Sequence, residues 1–300
     1  MSVPRQKGAV GFVGLGNMGD PMARRIAQAG HRLRLYDSRP AALAALDELG
    51  ERATAADSPA ALGADCAVVI TMLPDSEVVR EVALGPGGLA EGQKQGALVI
   101  DMSSSAPTAT QALGQALEER GIGLIDAPVS GGVPRARDGS LTIMAGGTPE
   151  RIESVEPLLS CMGRVQRTGP LGSGHAMKAL NNYVSAAGLL AVCEALIVAE
   201  RFGLDPRTLN EVLKASTGRN NTTDRKVEPF ILSRSFDSGF ALALLRKDVG
   251  LARSLAADLD LEAPWLTGCE ALLEEAAVAL GPDADHTEAF AFLERRLGDG

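Results

Sequence analysis

The run Ala9-Val-Gly-Phe-Val13-Gly14-Leu15-Gly16-Asn17-Met18-Gly19 decides the fold. Its first half is a short apolar strand. Its second half has the spacing Gly-x-Gly-x-x-Gly and opens a helical pattern. The first glycine permits a tight turn, the second lets backbone amides approach a pyrophosphate, and the third lets helix and strand pack closely. The helix N-terminus attracts the phosphates. An acidic residue, Asp37, follows about twenty residues on, at the end of the next apolar run, as a dinucleotide-binding βαβ unit requires.

Outward from this loop the chain alternates. Apolar runs at 9–13, 33–36, 66–72, 97–101, 124–126, 141–145 and 165–167 predict strands. Helical patterns at 18–29, 41–49, 76–84, 108–120 and around 150–161 lie between them. That order predicts an α/β Rossmann domain, doubly wound on a mainly parallel sheet, over residues 1–169. After Gly169 the pattern changes. A long interdomain helix is expected over 171–203, followed only by helices near 211–215, 225–232, 242–259, 266–279 and 287–296. Asp205-Pro206, Ala263-Pro264 and Gly281-Pro282 punctuate them. Residues 170–300 therefore read as an all-α substrate and oligomerisation domain.

Three hundred residues suit two such domains. An aromatic content of 3% leaves Ala, Leu and Val to build the core, which fits helix-rich packing. A net charge of −9 argues against nucleic acid or an anionic membrane as partner. Cys66, Cys161, Cys193 and Cys269 are far apart in apolar surroundings and read as buried free thiols of a reducing compartment. The lead-in of residues 1–7 has no apolar region of signal length, and the apolar run 184–199 is interrupted by Glu194, so a soluble, cytoplasmic protein is expected. His31, His175 and His286 form no ligand-spaced cluster, and no metal is expected.

Asp37 is placed to accept hydrogen bonds from an adenosine ribose and to repel a 2′-phosphate, which favours NAD; Arg39 nearby keeps NADP open. Leu73 and Pro74 end the third long strand, where a cofactor would cross. Asp101-Met-Ser-Ser-Ser105 ends the next one; Ser104 is the hydroxyl for cofactor or substrate, while Ser103 and Ser105 read equally well as caps of the helix after Pro107. Ser130-Gly131-Gly132 can present several amides to one carboxylate, as a nest does, although a plain tight turn explains it as well. In Gly172-Ser-Gly-His-Ala-Met-Lys178-Ala-Leu-Asn-Asn182, Lys178 and Asn182 are four apart, on one helix face and about 6 Å apart along the axis. A lysine and an amide there suit proton transfer to a small polar molecule.

The order Gly-Leu-Gly-Asn-Met-Gly, Asp-Ala-Pro-Val-Ser-Gly-Gly, Gly-x-Gly-x-x-x-Lys-x-x-Asn-Asn and Lys247-Asp248 resembles the β-hydroxyacid dehydrogenase family over nearly the whole chain. The resemblance implies roles residue by residue. Lys178 matches the catalytic lysine, Ser130, Gly131 and Gly132 the substrate-carboxylate loop, and Asn182 the asparagine that holds substrate and lysine. Gly14, Leu15, Gly16, Asn17, Met18, Gly19, Leu73, Pro74 and Ser104 match cofactor contacts, and Lys247 the lysine at the nicotinamide end.

The implied reaction is NAD(P)-dependent interconversion of a small 3-hydroxy acid and its semialdehyde, in a homodimer or homotetramer. 3-Hydroxyisobutyrate is favoured; tartronate semialdehyde, sulfolactaldehyde and other short polar semialdehydes are the alternatives. A dinucleotide-binding protein without catalysis is a remote one, disfavoured by the Lys178–Asn182 pair. Two stretches depart from the family pattern. If Arg219, Asn220 or Asn221 faces the pocket, a more polar substrate is implied. Asp285 reads as a helix N-cap and His286 as a surface residue.

Overall fold

The computed structural model describes residues 8–44 and 47–298. The lead-in at residues 1–7 lies outside them. Strands β1 (Val10–Val13), β2 (Leu33–Tyr36), β3 (Ala53–Ala55), β4 (Val68–Thr71), β5 (Leu98–Asp101) and β6 (Gly123–Asp126) are joined in the parallel order β3-β2-β1-β4-β5-β6. β7 (Val129–Ser130), β8 (Leu141–Gly146) and β9 (Gly163–Gly169) extend the edge; β8 runs antiparallel to β6 and β7 and parallel to β9. The sheet is therefore mainly parallel with the Rossmann strand order, as expected.

β1, β4, β5 and β6 are buried along their whole length, the pattern of strands covered on both faces. Alternate residues feed two cores. Phe12, Leu35, Ile70 and Ile100 meet Met22 and Ile26 on one face. Val13, Val69, Val99 and Leu124 meet Leu62 and Leu117 on the other. Each such side chain contributes about 1.5–3 kcal/mol on burial.

Helices Gly19–Gln28, Ser76–Leu84, Pro107–Glu118 and Pro149–Leu159 fall where the periodicity predicts them. The expected helix 41–49 is instead a short helix, Pro40–Ala44, and a 3-10 turn, Asp47–Arg52, with residues 45–46 outside the described set. Helices Pro59–Asp65, Leu89–Gly92 and Gly132–Asp138 were not expected.

The chain divides into two compact units, one running to Lys178 and the other starting at Ala179. The helix Ser173–Phe202, 30 residues and about 45 Å long, is continuous through that division. By length and composition it could cross a bilayer; half of its most apolar window is buried in protein. The second unit is helical, with Pro206–Ala215, Asn221–Arg225 continuing into a π-helical turn at Val227–Leu232, then Leu242–Asp258, Pro264–Leu280 and Ala289–Gly298. Leu189, Leu196, Ile231, Leu242, Val249 and Leu273 are among its core residues.

Asp285 organises one end of this unit. Its carboxylate accepts from Ser238 Oγ at 2.8 Å, the N–H groups of Gly239 and Phe240, and both the N–H and hydroxyl of Thr287. It also caps the turn His286–Glu288, as expected. His286, expected at the surface, is buried at 2% exposure. Its Nδ1 lies 2.9 Å from the Phe240 carbonyl, so the Asp285 tether draws the ring inward.

Burial by itself would raise the Asp285 carboxyl; the hydrogen bonds from its neighbours outweigh it and hold the group well below its usual range. A depressed carboxylate stabilises the fold above the unfolded value of 3.8 and ceases to as the pH falls through the lower folded one. Asp285→Asn is therefore expected to cost about 2–4 kcal/mol at neutral pH. That deficit should shrink below about pH 4, as read by denaturant titrations at pH 7 and pH 3.

Lys226 shows the opposite sign. Desolvation pushes its amine down to about 8, against the opposing pull of Asp285 and Cys193. The unfolded chain binds the proton more tightly between about 8 and 10.5, so this group's contribution to stability improves as the pH rises through that window. Lys226→Met is expected to raise Tm by about 2–6 °C at pH 7, with the gain narrowing toward pH 10.

All four cysteines are buried free thiols, Cys66 and Cys161 in the first unit and Cys193 and Cys269 in the second. Burial pushes Cys66 and Cys269 up to about 11 and Cys193 to about 12.

Candidate active site

The carboxyl end of β1 carries the glycine loop. Gly14 has φ +92°, and a Cβ there would stand 2.2 Å from the Met72 carbonyl oxygen at the end of β4. A Cβ at Gly19 would stand 1.9 Å from the Gly14 carbonyl oxygen. Both positions are closed by protein. Gly16 is different: a Cβ there would meet only the tip of Arg39, at 3.8 Å. The space over Gly16 is thus left for a ligand. Met18 is the N-cap of the helix Gly19–Gln28, and no side chain caps it, so the helix start is available to an anion. The residues present fit a dinucleotide pyrophosphate.

Asp37, just past β2, anchors the loop. Its Oδ2 accepts from the Leu15 N–H at 2.7 Å, and its Oδ1 from the N–H and Nε of Arg39 at 2.9 and 3.1 Å. Its side chain is 6% exposed against 65% for Arg39. Burial works to raise the carboxyl, but Arg39 and the Leu15 amide hold it below the usual range. Arg39, whose place in the sequence keeps NADP open, is paired with Asp37.

Beyond β4 and β5 the serines divide their work. Ser103 Oγ accepts from the Leu73 N–H at 2.9 Å and so fixes the Leu73-Pro74 turn. Ser105 Oγ donates to Asp101 Oδ2 at 2.9 Å. Neither caps the helix Pro107–Glu118, whose N-cap is Ala106 without a side-chain bond; the capping expectation is corrected. Ser103 and Ser105 are buried, and Ser104 between them is half-buried.

After β6, Ser130 closes β7, and Gly131 and Gly132 follow with φ +133° and +68° at the start of the helix Gly132–Asp138. Both glycines are exposed. Asp126, the last residue of β6, reaches a different segment. Its Oδ1 accepts from the Gly172 N–H at 2.7 Å and its Oδ2 from the His175 N–H at 2.8 Å. A carboxylate on these amides satisfies the helix start and opposes the positive end of its dipole. Lys178, half-buried, follows His175 by three residues. The first unit therefore gathers the glycine loop, Asp37, Leu73-Pro74, Ser104 and Ser130–Gly132 at the carboxyl ends of the strands, and ties the helix bearing Lys178 to the same edge.

In the second unit, Asn182 is buried and donates through Nδ2 to Asp248 Oδ2 at 2.5 Å. Asn181 donates to Asn182 Oδ1 at 3.0 Å. Lys247, next to Asp248, is half-buried on the helix Leu242–Asp258. Sequence reading assigned no role to Asp248. Its only signal was its place beside Lys247.

The departing stretch at 216–224 is occupied with itself. Asn220 caps the helix Asn221–Arg225 in a capping box with Thr223, and Arg219 Nε pairs with Asp224 at 3.1 Å. Both contacts are local, made within five residues of the chain.

Fold and site define a dinucleotide-dependent oxidoreductase. Residues 9–172 match the family model described as the NAD binding domain of 6-phosphogluconate dehydrogenase. Residues 172–293 match the model described as NAD-binding of NADP-dependent 3-hydroxyisobutyrate dehydrogenase. The chain is 35% identical to 2-(hydroxymethyl)glutarate dehydrogenase of Eubacterium barkeri over 91% of its own length and 90% of the relative's. It is 38% identical to mitochondrial 3-hydroxyisobutyrate dehydrogenase of Mus musculus over 83% and 76%. Among solved structures, 3-hydroxyisobutyrate dehydrogenase of Mycobacterium tuberculosis with L-serine superposes with a TM-score of 0.88 at 31% identity, covering 96% and 99% of the two chains. The chain belongs to the β-hydroxyacid dehydrogenase family. It is an NAD(P)-dependent oxidoreductase of small hydroxy acids.

Proposed function

We propose that the protein interconverts a short 3-hydroxy acid and its semialdehyde, with 3-hydroxyisobutyrate the favoured substrate, NAD the favoured coenzyme and Lys178 the proton donor and acceptor. The observation that carries this reading is the Asp126 tether. It holds the helix of Lys178 at the strand edge that bears the glycine loop and the Ser130–Gly132 turn. Gly14 to Gly19, Asp37, Leu73, Pro74 and Ser104 would hold the coenzyme, which supplies or accepts a hydride when bound. The Ser130–Gly132 turn supplies N–H groups for the substrate carboxylate, so that the hydroxyl-bearing carbon is oriented before reaction. In reduction the Lys178 ammonium gives its proton to the developing alkoxide. In oxidation the neutral amine takes the hydroxyl proton. Asn182, oriented by Asp248, contributes an amide to the substrate hydroxyl, and Lys247 serves the nicotinamide end.

Rates with 3-hydroxyisobutyrate, L-serine, 2-(hydroxymethyl)glutarate and tartronate semialdehyde, each with both coenzymes, test the reading. It predicts the highest kcat/KM for 3-hydroxyisobutyrate with NAD. A polar substrate turning over best would overturn the substrate, and no turnover of any would overturn the chemistry.

The Asp37–Arg39 pair supports NAD, because a buried carboxylate sits where a 2′-phosphate would have to approach. Asp37→Ala releases Arg39 and is expected to shift the NAD-to-NADP ratio of kcat/KM toward NADP by about tenfold or more. A wild-type enzyme already preferring NADP would sink the assignment. We also propose self-association through the helical unit, supported by exposed Phe202, Trp265 and Val278, with mass measured by light scattering as the test. The four buried free thiols support a cytoplasmic location.

A further inference from the structure

We propose that His175 is a positioning residue for Lys178, clamping the start of the lysine's helix to the ends of β5 and β6 and to the helix Pro107–Glu118 through a buried polar cluster. The inference rests on Lys178 being the proton donor.

The start of this helix is locally weak. Gly172-Ser-Gly174 places two glycines in or before its first turn, and glycine is a poor helix former. What glycine does allow is close seating: a Cβ on Gly174 would stand 2.2 Å from the Met144 carbonyl oxygen of β8. Stiffness must come from elsewhere, and the buried cluster supplies it.

The His175 side chain is 0% exposed. Nε2 lies 3.1 Å from the Ser103 carbonyl oxygen, and Nδ1 lies 2.8 Å from Thr110 Oγ1. A carbonyl only accepts, so Nε2 carries a hydrogen and donates it. Two carboxylates flank the ring, Asp101 Oδ2 at 3.7 Å from Nε2 and Asp126 Oδ2 at 3.7 Å from Nδ1. Thr71, Asp101 and Asp126 are register partners across β4, β5 and β6, so their side chains share one face of the sheet. Asp101 is itself held by three donors, accepting from Thr71 Oγ1, the Ser103 N–H and Ser105 Oγ.

His175 thus joins the β5 turn, the helix Pro107–Glu118 through Thr110, and the Asp126 tether at one buried point. Ring and backbone N–H of one residue act together, and Lys178 lies three residues on, a neighbouring position on the helix surface. No atom of the ring needs to reach substrate. Its effect is to fix where the amine stands.

The test uses the full-length enzyme with saturating 3-hydroxyisobutyrate and NAD. Thr110→Val removes the hydroxyl beside Nδ1 at nearly constant volume, and Thr110→Ser restores it. His175→Leu removes both ring nitrogens, and His175→Gln keeps one N–H. Thr110→Val and His175→Leu are expected to lower kcat about 10- to 100-fold, the scale of a small misplacement of a reacting group. KM and the Kd for NADH should stay within about threefold, since uniform binding is untouched. Thr110→Ser should stay within about twofold of wild type, and His175→Gln should fall between.

If His175→Leu does not fold, Thr110→Val decides. Wild-type kcat in Thr110→Val, or a kcat loss matched by weaker NADH binding, would overturn the proposal. Lys178→Ala run alongside separates the two failures. An active Lys178→Ala sinks the proton-donor assignment. An inactive Lys178→Ala with unaffected Thr110 and His175 variants sinks only the clamp.

Discussion

Lys178→Ala is expected to lower kcat about 100- to 10,000-fold, the contribution of a positioned general acid–base. The Kd for NADH should move by no more than about threefold, because the proposed role of the lysine is toward the substrate oxygen and not toward the nucleotide. Single-turnover hydride transfer should slow by the same factor as kcat, since proton donation accompanies the chemical step. Turnover near the wild-type rate would remove the lysine from the mechanism. A parallel rise in the NADH Kd would place it in nucleotide binding instead. Lys178→Arg is a useful companion, because it keeps the charge but cannot release a proton at neutral pH. It should be nearly as impaired as alanine in the oxidative direction.

Gly14→Ala is the second large effect. Two penalties meet at this residue: a backbone with φ +92° that side chains avoid, and a methyl 2.2 Å from the Met72 carbonyl oxygen. The obstruction is main chain at the end of a central strand, so it cannot rotate away. We expect a loss of about 2–4 kcal/mol in stability. NADH binding should weaken about 100-fold or more, since the loop that must approach the pyrophosphate is displaced. Gly16→Ala is the discriminating control. It has room in the folded chain, so it should fold normally and lose binding only. Normal NADH affinity in Gly16→Ala would show that the space above Gly16 is not the phosphate site.

Much of the architecture was legible because its signals are local. The glycine spacing after an apolar run located β1 and the helix that follows it. The alternation of strand and helix patterns up to Gly169 foretold the parallel sheet, and the four-residue spacing of Lys178 and Asn182 put them on one helix. Three helices of four to seven residues escaped because helical periodicity needs length, and β3 escaped because three residues make too short an apolar run. β3 and the helix Pro59–Asp65 are examples, although Ser58-Pro59 carries a start signal, with Ser58 Oγ accepting from the Ala61 N–H at 3.1 Å.

The support of the candidate site escaped for a different reason. His175 meets Ser103, Thr110 and Asp126 across 49 to 72 residues, and Asn182 meets Asp248 across 66. No spacing rule spans such distances. His286 was misplaced for the same cause: a residue beside a cap looks exposed until the 45- to 47-residue bonds of Asp285 to Ser238, Gly239 and Phe240 are seen.

The even split of shielded sulfurs, two per unit, makes the native protein its own reporter of breathing. With burial pushing three of them to about 11 or 12, the reactive thiolate is scarce in the closed state. Alkylation must wait for an opening that wets the sulfur. Trapping rates at Cys66 and Cys193, followed by mass spectrometry, would then time the two halves separately and show which loosens first when coenzyme is withdrawn.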